Sequence, residues 1–287
     1  MGLPSPKHPL VTVVMPKDFK MPLSFQGAKI IPGFYQVMFK LGECGTLRYG
    51  RNSYDYEDGT LIFTSPGQTM EMELDSPETE NPHAGWILAF HPDLLHKSTL
   101  ADKIEEYNFF QYEVREALHL SDEERQTIEE LRDKIIREYS QNLDRHSQKL
   151  IVANIELMLD YCLRFYDRQF ITRAKLNSDF ISKFEGVLKG FYKSELEVLG
   201  IPSVQYCAEQ LNLSANYLSD LLKKETGKSA QEHIHLFILD KAKRKLRNSG
   251  ESISEIAYSL GFEYPQHFSN LFKAKTGYSP RAYRNMA

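Results

Sequence analysis

The chain has 287 residues, 41% apolar and 26% charged, which suits one large or two ordinary water-soluble domains. No apolar run reaches the ~20 residues of a membrane span, and the N-terminal stretch has no basic segment followed by an apolar one, which argues against a secretory signal. Cys44, Cys162 and Cys207 are too far apart for a metal-type pair and suit a reducing, cytoplasmic setting. The net charge of −4 argues against a nucleic-acid binder only while it is taken whole. Residues 1–173 carry 19 Lys and Arg against 27 Asp and Glu, a net of −8; residues 174–287 carry 16 against 12, a net of +4.

Residues 30–90 read as strands. The runs at 33–40, 46–49, 60–64, 68–74 and 85–90 are rich in aromatic and branched residues, and turn residues separate them at Gly42, Asn52-Ser53, Asp58-Gly59, Ser65-Pro66-Gly67 and Asn81-Pro82. This spacing predicts a small antiparallel barrel or sandwich. Met70, Met72 and Leu74 alternate with Glu71 and Glu73, the pattern of a sheet with one dry face.

Two helices follow. Ser121-Asp-Glu-Glu124 is a capping box, and Ile128, Leu131, Ile135 and Tyr139 make one stripe behind it. The second helix opens near Ser147 and carries Ile151, Ile155, Met158, Cys162 and Phe165 at steps of four and three. That coiled-coil spacing makes these five candidates for a dimer contact, although it also suits a hairpin packed within one chain. Leu150, Leu157 and Tyr161 form a second stripe beside it. The polar stretch 168–177 reads as a linker, and everything after it as helical.

The last hundred residues contain a repeat. Ala208, Leu211 and Leu213 recur as Ala257, Leu260 and Phe262 at an offset of 49, and the run from Leu218 to Ser229 recurs from Phe268 to Ser279 at an offset of 50. Each copy is a short helix, a tight turn and a longer helix. Ser214 caps one second helix, Gly261 occupies the other turn, and Gly227 and Gly277 end both second helices. This is helix-turn-helix grammar, over 204–226 and 253–276. The connecting helix carries a buried stripe of Ile234, Ile238, Ala242 and Leu246 and a basic cluster at Lys241, Lys243, Arg244, Lys245 and Arg247. At about 20 residues it spans ~30 Å, close to the ~34 Å of one duplex turn.

These residues resemble the AraC/XylS family of bacterial transcription regulators. The resemblance rests on Ile253-Ser-Glu-Ile-Ala257, Gly261-Phe262, His267-Phe-Ser-Asn-Leu-Phe-Lys273, Thr276-Gly277-Tyr-Ser-Pro280 and Tyr283-Arg284, with a less regular copy through Ala208, Leu213-Ser214, Tyr217-Leu-Ser219 and Lys223-Lys-Glu-Thr-Gly227. It covers roughly residues 180–284. Where the family has arginine then leucine in the connecting helix, this chain has Ile238-Leu239, and Asp220 replaces a basic reader seen in some members. The resemblance implies an α+β chain. Residues 1–120 are then a cupin-like antiparallel β-barrel that binds an effector, 121–170 a helical hairpin for dimerisation, and 174–287 an all-α domain with two helix-turn-helix motifs that binds double-stranded DNA. RNA polymerase is a further partner.

On this reading the base-reading candidates are Ala215, Asn216 and Ser219 in the first copy and Gln266, His267, Ser269 and Asn270 in the second, with glutamine and asparagine suited to bidentate contact with adenine. Lys223, Lys228, Lys273, Lys275, Arg281 and Arg284 are the phosphate candidates, which set affinity and register but not sequence preference. Tyr35, Tyr49 and Trp86 are the effector candidates among many strand aromatics (Phe39, Tyr54, Tyr56, Phe63 and Phe90 included), any of which could be ordinary core. His233 and His235 are two apart on a helix and make a poor metal pair. Residues 30–90 have no His-x-His, and the chain has no nucleophile elbow, phosphate loop or His-Glu-x-x-His, so no metal, cofactor or catalytic residue is expected. Two other readings stay open: an N-terminal domain that is a ligand-independent interaction module, and a cupin enzyme tethered to DNA.

Overall fold

The computed structural model describes residues 7–15, 29–40, 48–49, 52–53, 59–71, 85–113, 116–176, 180–194 and 200–286. Cys44, Tyr54, Tyr56, the turns at Gly42 and Asn81-Pro82, and Met72 to Leu74 lie outside the described residues, as does the side chain of Tyr49. The chain forms two units, Met1–Gln169 and Phe170–Ala287. Among the described residues, no helix is long and apolar enough to cross a membrane.

The N-terminal unit is built on strands β1 (Val11–Val14), β2 (Lys29–Ile30), β3 (Tyr35–Lys40), β4 (Arg48–Tyr49), β5 (Asn52–Ser53), β6 (Thr60–Thr64), β7 (Met70–Glu71), β8 (Gly85–Phe90) and β9 (Leu118–His119). Five of them form an antiparallel sheet in the order β1-β8-β3-β6-β9. The pairs β2–β7 and β4–β5 are separate two-stranded ribbons. The described sheet is therefore open, with β1 and β9 at its edges, and not the closed barrel that the family resemblance implied and that was one of the two architectures the strand spacing allowed. Spacing marks the longer strands and the turns between them. It does not say which edges meet.

Opposed residues in antiparallel strands share a face. The register sets Phe39 opposite Trp86 and Leu61, Val37 opposite Leu88 and Phe63, and Tyr35 opposite Phe90. This face packs on aromatic side chains from the segment after β8. Phe63 lies 4.5 Å from Phe109 and 6.1 Å from Tyr166, ring to ring, and Tyr35 stacks on Phe90 at 5.3 Å. The opposite face carries Thr12, Gln36, Met38, Ile87 and Ala89, all half-buried, and the buried Ile62 and Thr64.

Helices α1 (Thr99–Lys103), α2 (Asp122–Ser140) and α3 (Ser147–Leu176) follow, the last turns of α3 belonging to the second unit. The Ser121–Glu124 capping box opens α2, and Ile128, Leu131, Ile135 and Tyr139 are its buried stripe. The expected linker from 168 does not exist as such, because α3 continues through Leu176. Charge alone made that stretch look loose, yet its side chains bond as helix residues. The Gln169 amide accepts from His119 N–H at 2.8 Å and donates to the Ala117 carbonyl at 3.1 Å. Arg168 pairs with Glu124 at 2.8 Å.

The dimer candidates need correction. Ile151, Ile155, Met158 and Cys162 are fully buried and Phe165 nearly so, all within a single chain. Polar ties hold that side of α3 inward: Tyr107 Oη donates to Asp160 at 2.7 Å, Lys103 pairs with Glu156 at 2.6 Å, and Tyr166 Oη donates to the Glu116 carbonyl at 3.2 Å. Burial also pushes the Cys162 thiol well above its ordinary range. Of the second stripe, Leu150 and Leu157 are exposed and Tyr161 is half-buried, and Ile171 further along α3 is exposed.

The C-terminal unit is helical: α4 (Phe180–Ser194), α5 (Val204–Gln210), α6 (Ala215–Thr226), α7 (Ala230–Asn248), α8 (Ile253–Ser259), α9 (Pro265–Thr276) and α10 (Pro280–Asn285). Ser203, Ser214, Ser229, Ser252 and Ser279 each cap a helix with a side-chain bond, a contribution of about 1 kcal/mol apiece. The stripe Ile234, Ile238, Ala242 and Leu246 is buried, and so is Leu239. Ile238 therefore fills an apolar slot where the family resemblance would have placed an arginine.

Candidate nucleic-acid interface

The two helix-turn-helix copies share the backbone bonds of their turns and helix ends. In the first turn Asn212 is left-handed (φ 55°); in the second, Gly261 is (φ 91°). Leu213 N–H donates to the Ala208 carbonyl at 2.8 Å, and Phe262 N–H to the Ala257 carbonyl at 3.0 Å. Asparagine tolerates this conformation and glycine adopts it at no steric cost, so each copy meets the same backbone demand with a different residue. The second helices also end alike. Gly227 (φ 74°) and Gly277 (φ 81°) close them, each N–H donating at 2.9 Å to the carbonyl of a lysine four residues back. Thr226 Oγ1 donates to the Leu222 carbonyl at 2.8 Å and Thr276 Oγ1 to the Phe272 carbonyl at 2.7 Å.

The turn of the second copy rests on the segment just before the first copy and on α4. A β-carbon on Gly261 would fall on the carbonyl oxygen of Gly200, 2.5 Å from the carbonyl carbon and 3.0 Å from Ile201 N. Tyr192 Oη donates to the Leu260 carbonyl at 3.3 Å. Helix α7, 19 residues long, spans about 28 Å between the two copies.

Leu218, Leu221, Leu222, Phe268 and Phe272 anchor the second helices in the core, while Leu271 is only half-buried. The opposite faces hold the reading candidates. Gln266, His267 and Asn270 are exposed and Ser269 half-buried; Ala215, Asn216 and Ser219 are half-buried. The two helices differ at their leading turns. Tyr217 is 1% exposed, its ring edge-on to Phe170 at 5.0 Å, whereas its counterpart His267 is exposed and meets Tyr264 at 5.4 Å. The exposed Tyr264 was not among the sequence candidates. Its signal was an aromatic residue where a capping serine stands in the first copy.

Lys223, Lys228, Lys273, Lys275 and Arg281 are exposed. Lys228 and Lys275 both help to hold the Glu232 carboxyl below its ordinary value, after the larger effect of the Ser229 N–H and hydroxyl bonds. Arg284 is placed differently. Its guanidinium donates to the Glu251 carbonyl at 2.7 Å and the Leu246 carbonyl at 3.3 Å, joining α10 to the end of α7. In the basic cluster, Lys241 lies over the Tyr192 ring at 4.8 Å, Lys245 pairs with Glu251 at 3.3 Å, and Arg247 lies over the Tyr283 ring at 5.1 Å.

The effector candidates Tyr35 and Trp86 both lie on the helix-facing side of the sheet. Trp86 is 1% exposed, stacked on Phe39 at 5.7 Å and covered by the Arg132 guanidinium at 5.7 Å.

Residues 207–286 match the model of a helix-turn-helix domain family. The HTH-type transcriptional activator RhaS of Salmonella paratyphi B is 32% identical over 134 residues, 46% of this chain and 46% of that protein. The chain thus spans about half the length of the curated relatives it matches. Among solved structures, the C-terminal domain of AraT, a response regulator from Geobacillus stearothermophilus, is 30% identical, covering 37% of this chain and 83% of that one (TM-score 0.32). The C-terminal domain of the two-component response regulator yesN from Fusobacterium nucleatum is 27% identical, covering 35% and 96% (TM-score 0.31). With the repeated turns and caps described above, the match identifies residues 207–286 as a helix-turn-helix domain.

Proposed function

We propose that this chain is a DNA-binding transcription regulator of the AraC type, whose two second helices enter consecutive major-groove segments on one face of the duplex. One observation carries the reading: two matched helix-turn-helix copies stand at the ends of one rigid helix, with Gln266, His267 and Asn270 exposed over a core of Phe268 and Phe272. Gln266 and Asn270 read base edges, while Lys223, Lys228, Lys273, Lys275 and Arg281 meet phosphates. A net charge of +4 over residues 174–287 supplies little non-specific attraction, so occupancy relies on base contacts and on two linked copies of the chain.

The proposal includes a homodimer and a small-molecule effector. The exposed Leu150, Leu157 and Ile171 supply the dimer face. The effector site lies on the sheet face away from the helices, where Met38, Ile87 and Ala89 are half-buried beside Gln36, and the buried Thr64 hydroxyl has no hydrogen-bond partner among the described residues. Effector binding shifts activity only by favouring one state of the chain over another.

The test is binding of the full chain to fragments of its own genome across a salt series. The logarithm of the affinity is expected to fall linearly with log salt. Gln266→Ala is expected to change sequence preference, and Lys273→Ala to weaken all sites alike. Absence of salt-sensitive binding to every fragment would remove the reading. A ligand screen by thermal shift tests the effector separately.

A further inference from the structure

We infer that Tyr264 is a specificity-determining residue of the second reading helix, reading the 5-methyl group of a thymine with its ring. The inference rests on the DNA-binding reading above and adds a residue and a base feature to it. Tyr264 stands immediately before α9 and is 54% exposed. Its side chain makes no capping bond, although serine caps the equivalent position of the first copy with a bond to Tyr217 N–H. Tyrosine there gives up about 1 kcal/mol of helix stability, so the helix does not account for it. The core does not account for it either, because the ring faces solvent.

What the ring does touch is another exposed group at the same end of the same helix. His267 lies one turn along, the two ring planes 64° apart with centroids 5.4 Å apart, an edge-to-face arrangement that limits the rotamers of both. Pro265 follows and fixes the backbone at the first helical position. The result is a pre-positioned apolar plate beside Gln266 and Asn270, at the end of the helix that enters the groove first. In the major groove, the apolar feature that distinguishes one base from the others is the thymine methyl, and contact with it requires no hydrogen bond. The first copy has no such plate: Ser214 and the buried Tyr217 occupy the two positions.

The experiment takes a site bound by the full chain and replaces each thymine with uracil, one at a time, which removes only the methyl. For the wild type, one replacement within the segment covered by the second copy is expected to weaken binding about fourfold, the worth of one buried methyl. Tyr264→Ala is expected to bind the thymine and uracil forms equally, and Tyr264→Phe to keep the wild-type difference. Equal weakening of every form by Tyr264→Ala would assign the side chain to the DNA backbone and overturn the inference. A Tyr264→Phe variant as indifferent as Tyr264→Ala would also overturn it, since the hydroxyl would then be the contact. Failure of the wild type to bind any site would remove the DNA-binding reading itself.

Discussion

The close approach of the second helix-turn-helix turn to the Gly200 backbone makes Gly261→Ala a demanding substitution in the C-terminal unit. Two separate costs apply. A β-carbon at φ 91° forces a left-handed backbone on an L-residue, about 1–2 kcal/mol. The same carbon meets the Gly200 backbone, which no side-chain rotation can relieve. Forcing atoms into a filled space adds about 1–3 kcal/mol. Together about 2–5 kcal/mol is lost, a large part of the stability of a unit this size. Asn212→Ala is the internal control, because Asn212 holds the same place in the first copy at φ 55° and is exposed. It bears only the conformational cost, about 1 kcal/mol. The assay is urea unfolding of the full chain with two probes. Far-UV circular dichroism follows the helices of both units, the larger share of them in the C-terminal one, and the single tryptophan, Trp86, reports on the N-terminal unit alone. Gly261→Ala should move the circular dichroism midpoint to lower urea and leave the fluorescence midpoint in place. Equal destabilisation by the two variants would refute the steric part of the reasoning.

Arg284→Ala separates a structural from an electrostatic role. Its hydrogen bonds to the Glu251 and Leu246 carbonyls predict a loss of about 1.5–3 kcal/mol in stability, with the salt slope of DNA binding unchanged; Lys273→Ala should lower that slope by about one and leave stability alone. A reduced slope with wild-type stability for Arg284→Ala would restore it to the phosphate contacts. On α3, Ile155→Asp buries an unpaired carboxylate and should unfold the N-terminal unit, whereas Leu157→Asp, 45% exposed, should leave it folded and separate dimers in light scattering. A monomeric wild type would remove the dimer claim.

Local chemistry made much of the C-terminal unit legible. The repeat, the serine caps, the glycine stops and the left-handed turn at Gly261 are each set by residues within a few positions of one another, and each appears as a specific bond or angle. The Ser121 capping box and the stripe from Ile128 to Tyr139 were legible for the same reason. Strands β6 and β8 were readable from their composition, whereas β1, four residues between Pro9 and Pro16, and the two-residue β9 are too short to announce themselves without the partners they pair with.

What only the tertiary structure decided is which way each face turns. Two stripes on α3 look alike in sequence, and burial against the 92–120 segment turned the coiled-coil-like one inward and left Leu150 and Leu157 outside. Tyr35 and Trp86 read as pocket residues until strand register put them on the helix-packed side of the sheet. Arg284 read as a phosphate contact until the end of α7 came within reach of its guanidinium. A periodicity states that a face exists. Its partner comes from residues thirty to a hundred positions away, and only the folded chain brings them together.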